Sequence, residues 1–397
     1  MKLYKVKGAV ALAVAMCMFC PSVFAAEALS AEQQGVQPAP VVELTEEEKA
    51  ALALPVLTYE DALAKAKKNS ATLRDYNELA DLLREERNDQ IDDYGSLKTP
   101  TYEYKKWVNA STWGKQAAIF ATKLEQESTA LQKELTMLTL EVGVKSYFVD
   151  ILGQEDSLKL AKMNAETQKK LYQQAQVKHR LGMLSTYGTG GLEEKRIAAE
   201  QAQNNVALAE ANLTQAYTNF NRLLGEKAEQ RYELVYDVAY TPYELSLPLE
   251  MYISDKMKND DLSLKLMELS VEAAKFSNNY LSENDNGEKA DRNEYSWDSA
   301  QRSLKTAKEE KESLIQNAYL QIKQLETMRD SAEADLKKAE TTYRTVEINY
   351  KAGNVTKTTL EQAEMGVINA QNALKTNAYN HDMLVFTFEN PTLLASK

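Results

Sequence analysis

A seven-residue periodicity sustained over long stretches constrains this chain more than any single residue does. From Leu192 onward, small and apolar residues fall at Leu192, Ala199, Ala202, Val206, Ala209, Leu213, Ala216, Phe220 and Leu223, with Lys195 the one polar member. Alternating steps of three and four are the spacing of a helix that packs lengthwise along another helix. The preceding stretch carries the same spacing at Leu131, Leu135, Leu138, Val142, Val149 and Leu152, within a helical pattern running from Trp113 to Leu181. Such a helix is roughly 100 Å long, far more than a domain core requires. Between the two, Gly182 suits the left-handed position that ends a helix, and Gly188, Gly190 and Gly191 loosen the turn. The pattern predicts one long antiparallel coiled-coil hairpin.

The hairpin occurs twice. Sliding the sequence on itself by 171 positions puts Val144 on Ile315, Phe148 on Tyr319, Ile151 on Ile322, Tyr172 on Tyr343, Val177 on Ile348 and Gly182 on Gly353. Past the glycines the offset becomes 168, and Leu192-Glu193 falls on Leu360-Glu361, so the first copy carries three extra residues in its turn. Upstream, at an offset of 190, Leu57, Glu60, Lys68 and Asn69 fall on Leu247, Glu250, Lys258 and Asn259. Two copies of one unit make the chain a tandem repeat. The second long arm has the cleaner seam, Ile315, Ala318, Ile322, Leu325, Ala332, Leu336, Ala339, Tyr343, Val346 and Tyr350, with only Arg329 out of type.

The order along the chain follows from these repeats. Lys2, Lys5 and Lys7 precede an apolar run from Gly8 to Phe24, the pattern of a secretory signal peptide over 1–25. Both cysteines, Cys17 and Cys20, lie inside it, so the processed chain has no thiol or disulfide chemistry. Loss of the three lysines takes the net charge from −12 to −15, which disfavours nucleic acid and anionic lipid as partners. A leader covers 26–56, the first repeat 57–225, a connector 226–247, the second repeat 248–390 and a tail 391–397. Within them, Thr58 is the expected N-cap of a helix to about Asp92, with Asp61 completing a near capping box. A second such helix spans about Leu249 to Tyr280, followed by a polar break through Trp297. Tyr232 to Tyr236 alternates like a lone edge strand. The composition, with mean hydropathy −0.50, suits solvated helices. The fold class is therefore all-α: two tandem repeats of long antiparallel coiled-coil hairpins.

Two units of short helix, long helix, glycine turn and return helix behind a signal peptide resemble the TolC family of outer-membrane efflux proteins. Leu57-Thr58-Tyr59-Glu60-Asp61-Ala62-Leu63 through Lys68-Asn69 is similar to the family's opening segment. Arg180-Leu181-Gly182-Met183-Leu184-Ser185 and Tyr350-Lys351-Ala352-Gly353-Asn354-Val355-Thr356 are similar to its tip turns, and Phe220 to Gly225 to the stop that closes its first unit. The resemblance covers about 57 to 390. It implies a trimer whose helices form a tunnel through the periplasm, associated with the outer membrane, with a periplasmic adaptor and an inner-membrane transporter as partners. The docking surface implied is Gly182, Met183, Leu184, Ser185, Gly353, Asn354, Val355 and Thr356.

Two departures from the family stand out. Its four membrane strands per chain belong in the breaks near 95–111 and 281–296, and a strand pair with its turn needs roughly 20 residues of alternating character. The first break is too short and holds Pro100, and the second has almost no apolar residue, so the barrel is expected to be reduced or absent. At the tunnel entrance many members carry aspartates where this chain has Thr359 and Gln362; Glu361 keeps some acidity there. No cofactor or metal is expected: His179 and His381 sit on different arms without metal-site spacing, and no nucleophile, base or phosphate cradle points to an enzyme. Three function classes remain: a TolC-like exit duct for efflux or type I secretion, a barrel-less periplasmic spacer or scaffold, and a periplasmic adaptor. The last requires one hairpin with β flanks, and this chain has two hairpins without them.

Overall fold

The computed structural model describes residues 54–94, 110–281 and 288–394. The expected signal peptide, most of the leader and most of the break near 95–111 lie outside the described residues. Of those described, 84% are helical. Strand β1 (Val56–Thr58) leads into α1 (Tyr59–Asn69) and α2 (Ala71–Tyr94); then come α3 (Ala110–Arg180), α4 (Leu192–Leu224), β2 (Glu233–Val235), α5 (Leu249–Asn259), α6 (Leu262–Leu281), α7 (Glu288–Lys351), α8 (Lys357–Glu389) and a 3-10 turn at Pro391–Leu393. The long arms α3 and α7 hold 71 and 64 residues, roughly 105 and 95 Å of helix.

The helices form a row four wide along its whole length. In the half that ends at the glycine turns the order is α4, α3, α8, α7; in the other half it is α2, α3, α6, α7. Only α3 and α7 run through both halves. At the level where their neighbours change, the short elements collect: α1 against α3 and α4, α5 against α7, and the β1–β2 pair. The expected lone strand is thus paired, in parallel register Val56↔Glu233, Leu57↔Leu234 and Thr58↔Val235. Tyr232 and Leu234 turn inward there and give the strand its alternation.

Two equivalent cores sit at that level. Val144, Phe148, Ile151 and Phe220 are fully buried in the first repeat, and Ile315, Ile322 and Phe388 in the second. These are residues that the self-comparison superposes, Phe220 on Phe388 included. Phe148 meets Phe220 edge-on at 5.6 Å, and Tyr319 sits 5.9 Å from Phe388. Each such aromatic contributes about 1.5–3 kcal/mol by leaving water. Along the second arm burial falls away from this core toward the turn, from fully buried Ile322 to exposed Tyr350. The first arm differs from expectation. Its seam at Leu131, Leu135, Leu138, Val142, Val149 and Leu152 is only half-buried, and the deepest face is Val144, Phe148 and Ile151. Flanked by helices on both sides of the row, α3 spreads its contacts around its circumference.

Three boundaries differ from the sequence reading. The helix expected from Tyr59 to about Asp92 breaks at Ser70, which is extended and whose hydroxyl accepts from the Leu73 N–H at 3.3 Å. The helix from Leu249 to Tyr280 breaks at the equivalent place, where Asp261 accepts from the N–H groups of Ser263 and Leu264. In both, a short polar side chain takes the backbone donors that would have continued the helix. The polar break through Trp297 is instead helix from Glu288: Glu288, Lys289, Ala290, Arg292 and Glu294 are good helix formers, and most of residues 291–296 are exposed, so their polarity does not oppose a helix.

Candidate functional site

The two turns close their outgoing helices in the same way. Gly182 and Gly353 sit at φ 71° and 78°. Met183 N–H donates to Lys178 C=O and Gly182 N–H to His179 C=O; Asn354 N–H donates to Asn349 C=O and Gly353 N–H to Tyr350 C=O, all between 2.8 and 2.9 Å. Each set is a Schellman motif, which needs a left-handed residue and explains the matched glycines. The return helices begin differently. Thr356 caps α8 by accepting from the Thr359 N–H at 3.3 Å. Gly191 has no side chain to cap α4, so the loop is tied otherwise. Leu192 and Glu193 N–H donate to the carbonyls of Ser185 and Thr186 at 3.0 Å, and Gly190 N–H to Glu194 Oε2 at 2.6 Å. The extra residues of the first turn form a held loop rather than a loose one.

Exposure separates the predicted docking residues. Gly182, Met183, Ser185, Gly353, Asn354 and Thr356 are exposed, while Leu184 and Val355 are half-buried. Met183, 71% exposed, is the apolar residue among them that is fully presented. Sequence reasoning missed its apolar neighbours Leu181 and Tyr187, 68% and 77% exposed, and Val177 and Ile348 on the final turns of α3 and α7. A signal for the last two was available: they superpose in the repeat yet lie off the seam of the second arm.

The predicted tunnel-entrance residues lie one turn further along α8. Gln362 is exposed; the Thr359 hydroxyl lies 3.0 Å from that of Thr356. Glu361 turns sideways: its Oε1 accepts from Lys170 Nζ of α3 at 2.7 Å. Hydrogen bonds to Glu361 and to Glu166 hold the Lys170 ammonium above its ordinary pKa. This pair is one rung of three between α3 and α8. Lys145 Nζ meets Asp382 at 2.8 Å, and Lys375 Nζ meets Asp156 at 3.0 Å. The cation is therefore on α3, then α8, then α3. No local sequence signal marks these rungs, whose members are 191 to 237 residues apart.

Away from the turns, the opening and stop segments meet. Asn69 Nδ2 donates to the carbonyls of Arg222 and Leu223 at 3.3 and 3.1 Å, beside Gly225 at φ 75°. A Cβ on Gly225 would lie 2.5 Å from Asn69 Oδ1. The end of α1 thus clasps the end of α4.

No protein-family model matches the sequence, and no curated protein is similar to it. Solved structures do match. The CmeC outer membrane channel of Campylobacter jejuni superposes with a TM-score of 0.61 at 13% identity, over 85% of this chain and 86% of that one. The outer membrane protein VceC of Vibrio cholerae gives 0.61 at 10%, over 84% and 96%. The MtrE outer membrane channel of Neisseria gonorrhoeae gives 0.56 at 14%, over 84% and 89%. This chain has the TolC fold. The strands among the described residues are β1 and β2, three residues each. Among the described residues no helix of this TolC-fold chain is long and apolar enough to cross a membrane, and no group of three His, Cys, Asp or Glu is placed to hold a metal. Of the two histidines, His179 Nε2 lies 2.9 Å from Thr186 Oγ1, and His381 is buried with Nε2 3.5 Å from Glu326 Oε1.

Proposed function

We propose that this chain is a TolC-like component of a cell-envelope export assembly, serving efflux or type I secretion. Three copies would form a periplasmic helical duct, with the two glycine turns docking a periplasmic adaptor that leads to an inner-membrane transporter. The observation that carries the reading is the helical row itself. It aligns over 85% of its length with an outer membrane channel, and it leaves two helix edges without a neighbour, α2 with α4 on one side and α7 on the other. Edge helices of a closed domain are expected to be polar outside. These carry exposed Leu82, Ile91 and Leu208 on one edge and Leu320, Met328 and Ile348 on the other. Unlike edges on one protomer make a head-to-tail contact, which closes into a three-membered ring when each copy is turned by a third of a circle from the last. No chemical step enters this reading; the assembly conducts rather than catalyses.

The turn surface supplies the test. Met183→Asp with Leu184→Asp places charge on one exposed and one half-buried residue. The pair should change stability by less than about 1 kcal/mol and abolish co-purification of the adaptor. An adaptor retained by the double variant refutes the docking surface. Because the processed chain has no cysteine, a cysteine on each edge, at Leu208 and Met328, tests the ring: covalent trimers are expected, and a ladder that stops at monomer refutes it.

A further inference from the structure

We infer that this chain builds no membrane barrel of its own: on the side away from the glycine turns, the stretches of chain between its helices are too short to cross the outer membrane and return. The inference takes from the duct reading what the assembly is, and from chain length where it stops.

The second repeat decides the matter. Residue Leu281 ends α6 and Glu288 begins α7, so six residues, 282–287, join them. The two helices are already neighbours before that join. Asn293 Nδ2 donates to Ser277 C=O at 3.5 Å, and Lys308 Nζ pairs with Glu268 at 2.8 Å. Both pairs straddle the join, with midpoints at about residues 285 and 288, and six residues is an ordinary length for a helix-to-helix connection. Fully extended, six residues reach at most about 20 Å. The apolar band of an outer-membrane barrel is about 25 Å tall, and a strand pair must cross it twice.

The first repeat reaches the same limit with more chain. Fifteen residues, 95–109, join α2 to α3. Again the helices are held together short of the join: Gln90 Nε2 donates to Thr122 Oγ1 at 2.8 Å, and Gln126 Nε2 to Leu83 C=O at 2.9 Å. Two tilted membrane strands of about 9–11 residues each, with a turn, need about 20. Between the two repeats, stacking of Phe120 on Phe276 at 4.1 Å keeps α3 against α6 near this end. A half-length strand would leave backbone groups unpaired in hydrocarbon at several kcal/mol each, so a partial barrel is no alternative. If the assembly is a duct, passage through the outer membrane falls to a separate protein.

The test uses the full chain, exported and processed in its own envelope. Membranes washed with carbonate should release it without detergent, and the purified oligomer should give no conductance in planar bilayers. A chain that stays in the membrane until detergent is added, or that gives single-channel currents and heat-modifiable trimers, overturns the inference. The two readings fail separately. A conducting trimer removes this inference and leaves the duct; a detergent-free monomer that never closes a ring removes the duct and leaves this inference.

Discussion

The same substitution at two glycines that each end a helix in the left-handed conformation should have unequal cost, and the structure gives the size of the difference. Gly225 and Gly353 both end a helix at φ near 75°, where an L-residue costs about 1–2 kcal/mol. At Gly353 nothing lies within 4 Å of an added Cβ, so that penalty is the whole effect. At Gly225 the added methyl would meet Asn69 Oδ1 at 2.5 Å, and Asn69 must move. It cannot move freely, because Nδ2 holds the carbonyls of Arg222 and Leu223. Losing those two bonds adds about 1–3 kcal/mol at about 0.5–1.5 each. Gly353→Ala should therefore cost about 1–2 kcal/mol, from the left-handed backbone alone. Gly225→Ala should cost about 2–5 kcal/mol once the lost bonds are added. Urea unfolding followed by circular dichroism measures both, and Asn69→Ala completes a cycle. With the clasp already gone, Gly225→Ala should be milder in the double variant than alone. Equal costs at the two glycines, or strict additivity with Asn69→Ala, would refute the clasp.

The two cores should respond alike: Phe220→Ala and Phe388→Ala each empty a fully buried ring site and should cost about 3–5 kcal/mol by the same urea assay. A cost below 1 kcal/mol at either would mean that the cores are not equivalent. Alkaline pH should weaken the first core through Tyr59. Burial, and then the carboxylates of Glu141, Asp382 and Glu60, push the Tyr59 hydroxyl up to about 12. The folded protein thus holds that proton more tightly than the unfolded chain, near 10. Its contribution is complete below pH 10 and is lost as pH rises through 12. Tyr59→Phe should flatten the stability profile across that window, and an unchanged profile would exclude Tyr59 as the cause.

Much of the fold was legible because periodicity and repetition are local or self-referential. The seam from Leu192 to Leu223 needs one helix to be read, and the match of Phe148 to Tyr319 needs no partner from another protein. The glycine turns were legible for the same reason: a left-handed residue is demanded by the last carbonyls of the helix itself. What stayed hidden depended on the order of helices in the row. That α3 is flanked on both sides, and so lacks a single buried seam, follows from α8 and α6 returning to its far side. Lys145 could not be joined to Asp382, nor Lys170 to Glu361, by any spacing rule. The breaks at Ser70 and Asp261 were present as capping side chains, but a strong helical pattern around each masked them. Of the turn residues, Met183 is exposed, whereas Leu184 and Val355 fold partly inward, a choice of rotamer and loop path that sequence does not specify.

The alternating rungs between α3 and α8 carry a last consequence, because they select one sliding position of the two hairpins. A slip of one heptad keeps any coiled-coil seam in phase, so apolar packing discriminates weakly against it. The charges discriminate well. Slipped seven residues one way, Lys145 faces Lys375 in place of Asp382; slipped the other way, Asp156 faces Asp382 in place of Lys375. Either slip loses the three native pairs, each worth about 0.2–1 kcal/mol at their partial exposure, and adds a like-charge contact of similar size. The second slip also brings Lys145 opposite Glu389 at the end of α8, so it is the less costly of the two. Exchanging the central rung, Asp156→Lys with Lys375→Asp, leaves an ion pair in the native register. It also turns both slipped contacts into attractions, Lys145 with the new carboxylate and the new ammonium with Asp382. The double variant should therefore melt within about 0.5 kcal/mol of the parent yet lose its unique register. Spin labels at Gln174 on α3 and Asn369 on α8 read this directly: the parent should give one distance, and the exchanged protein a second population displaced along the helices by about 10 Å, seven residues of rise. A single unchanged distance in the exchanged protein would show that packing alone sets the register, and that the rungs serve only as surface ion pairs.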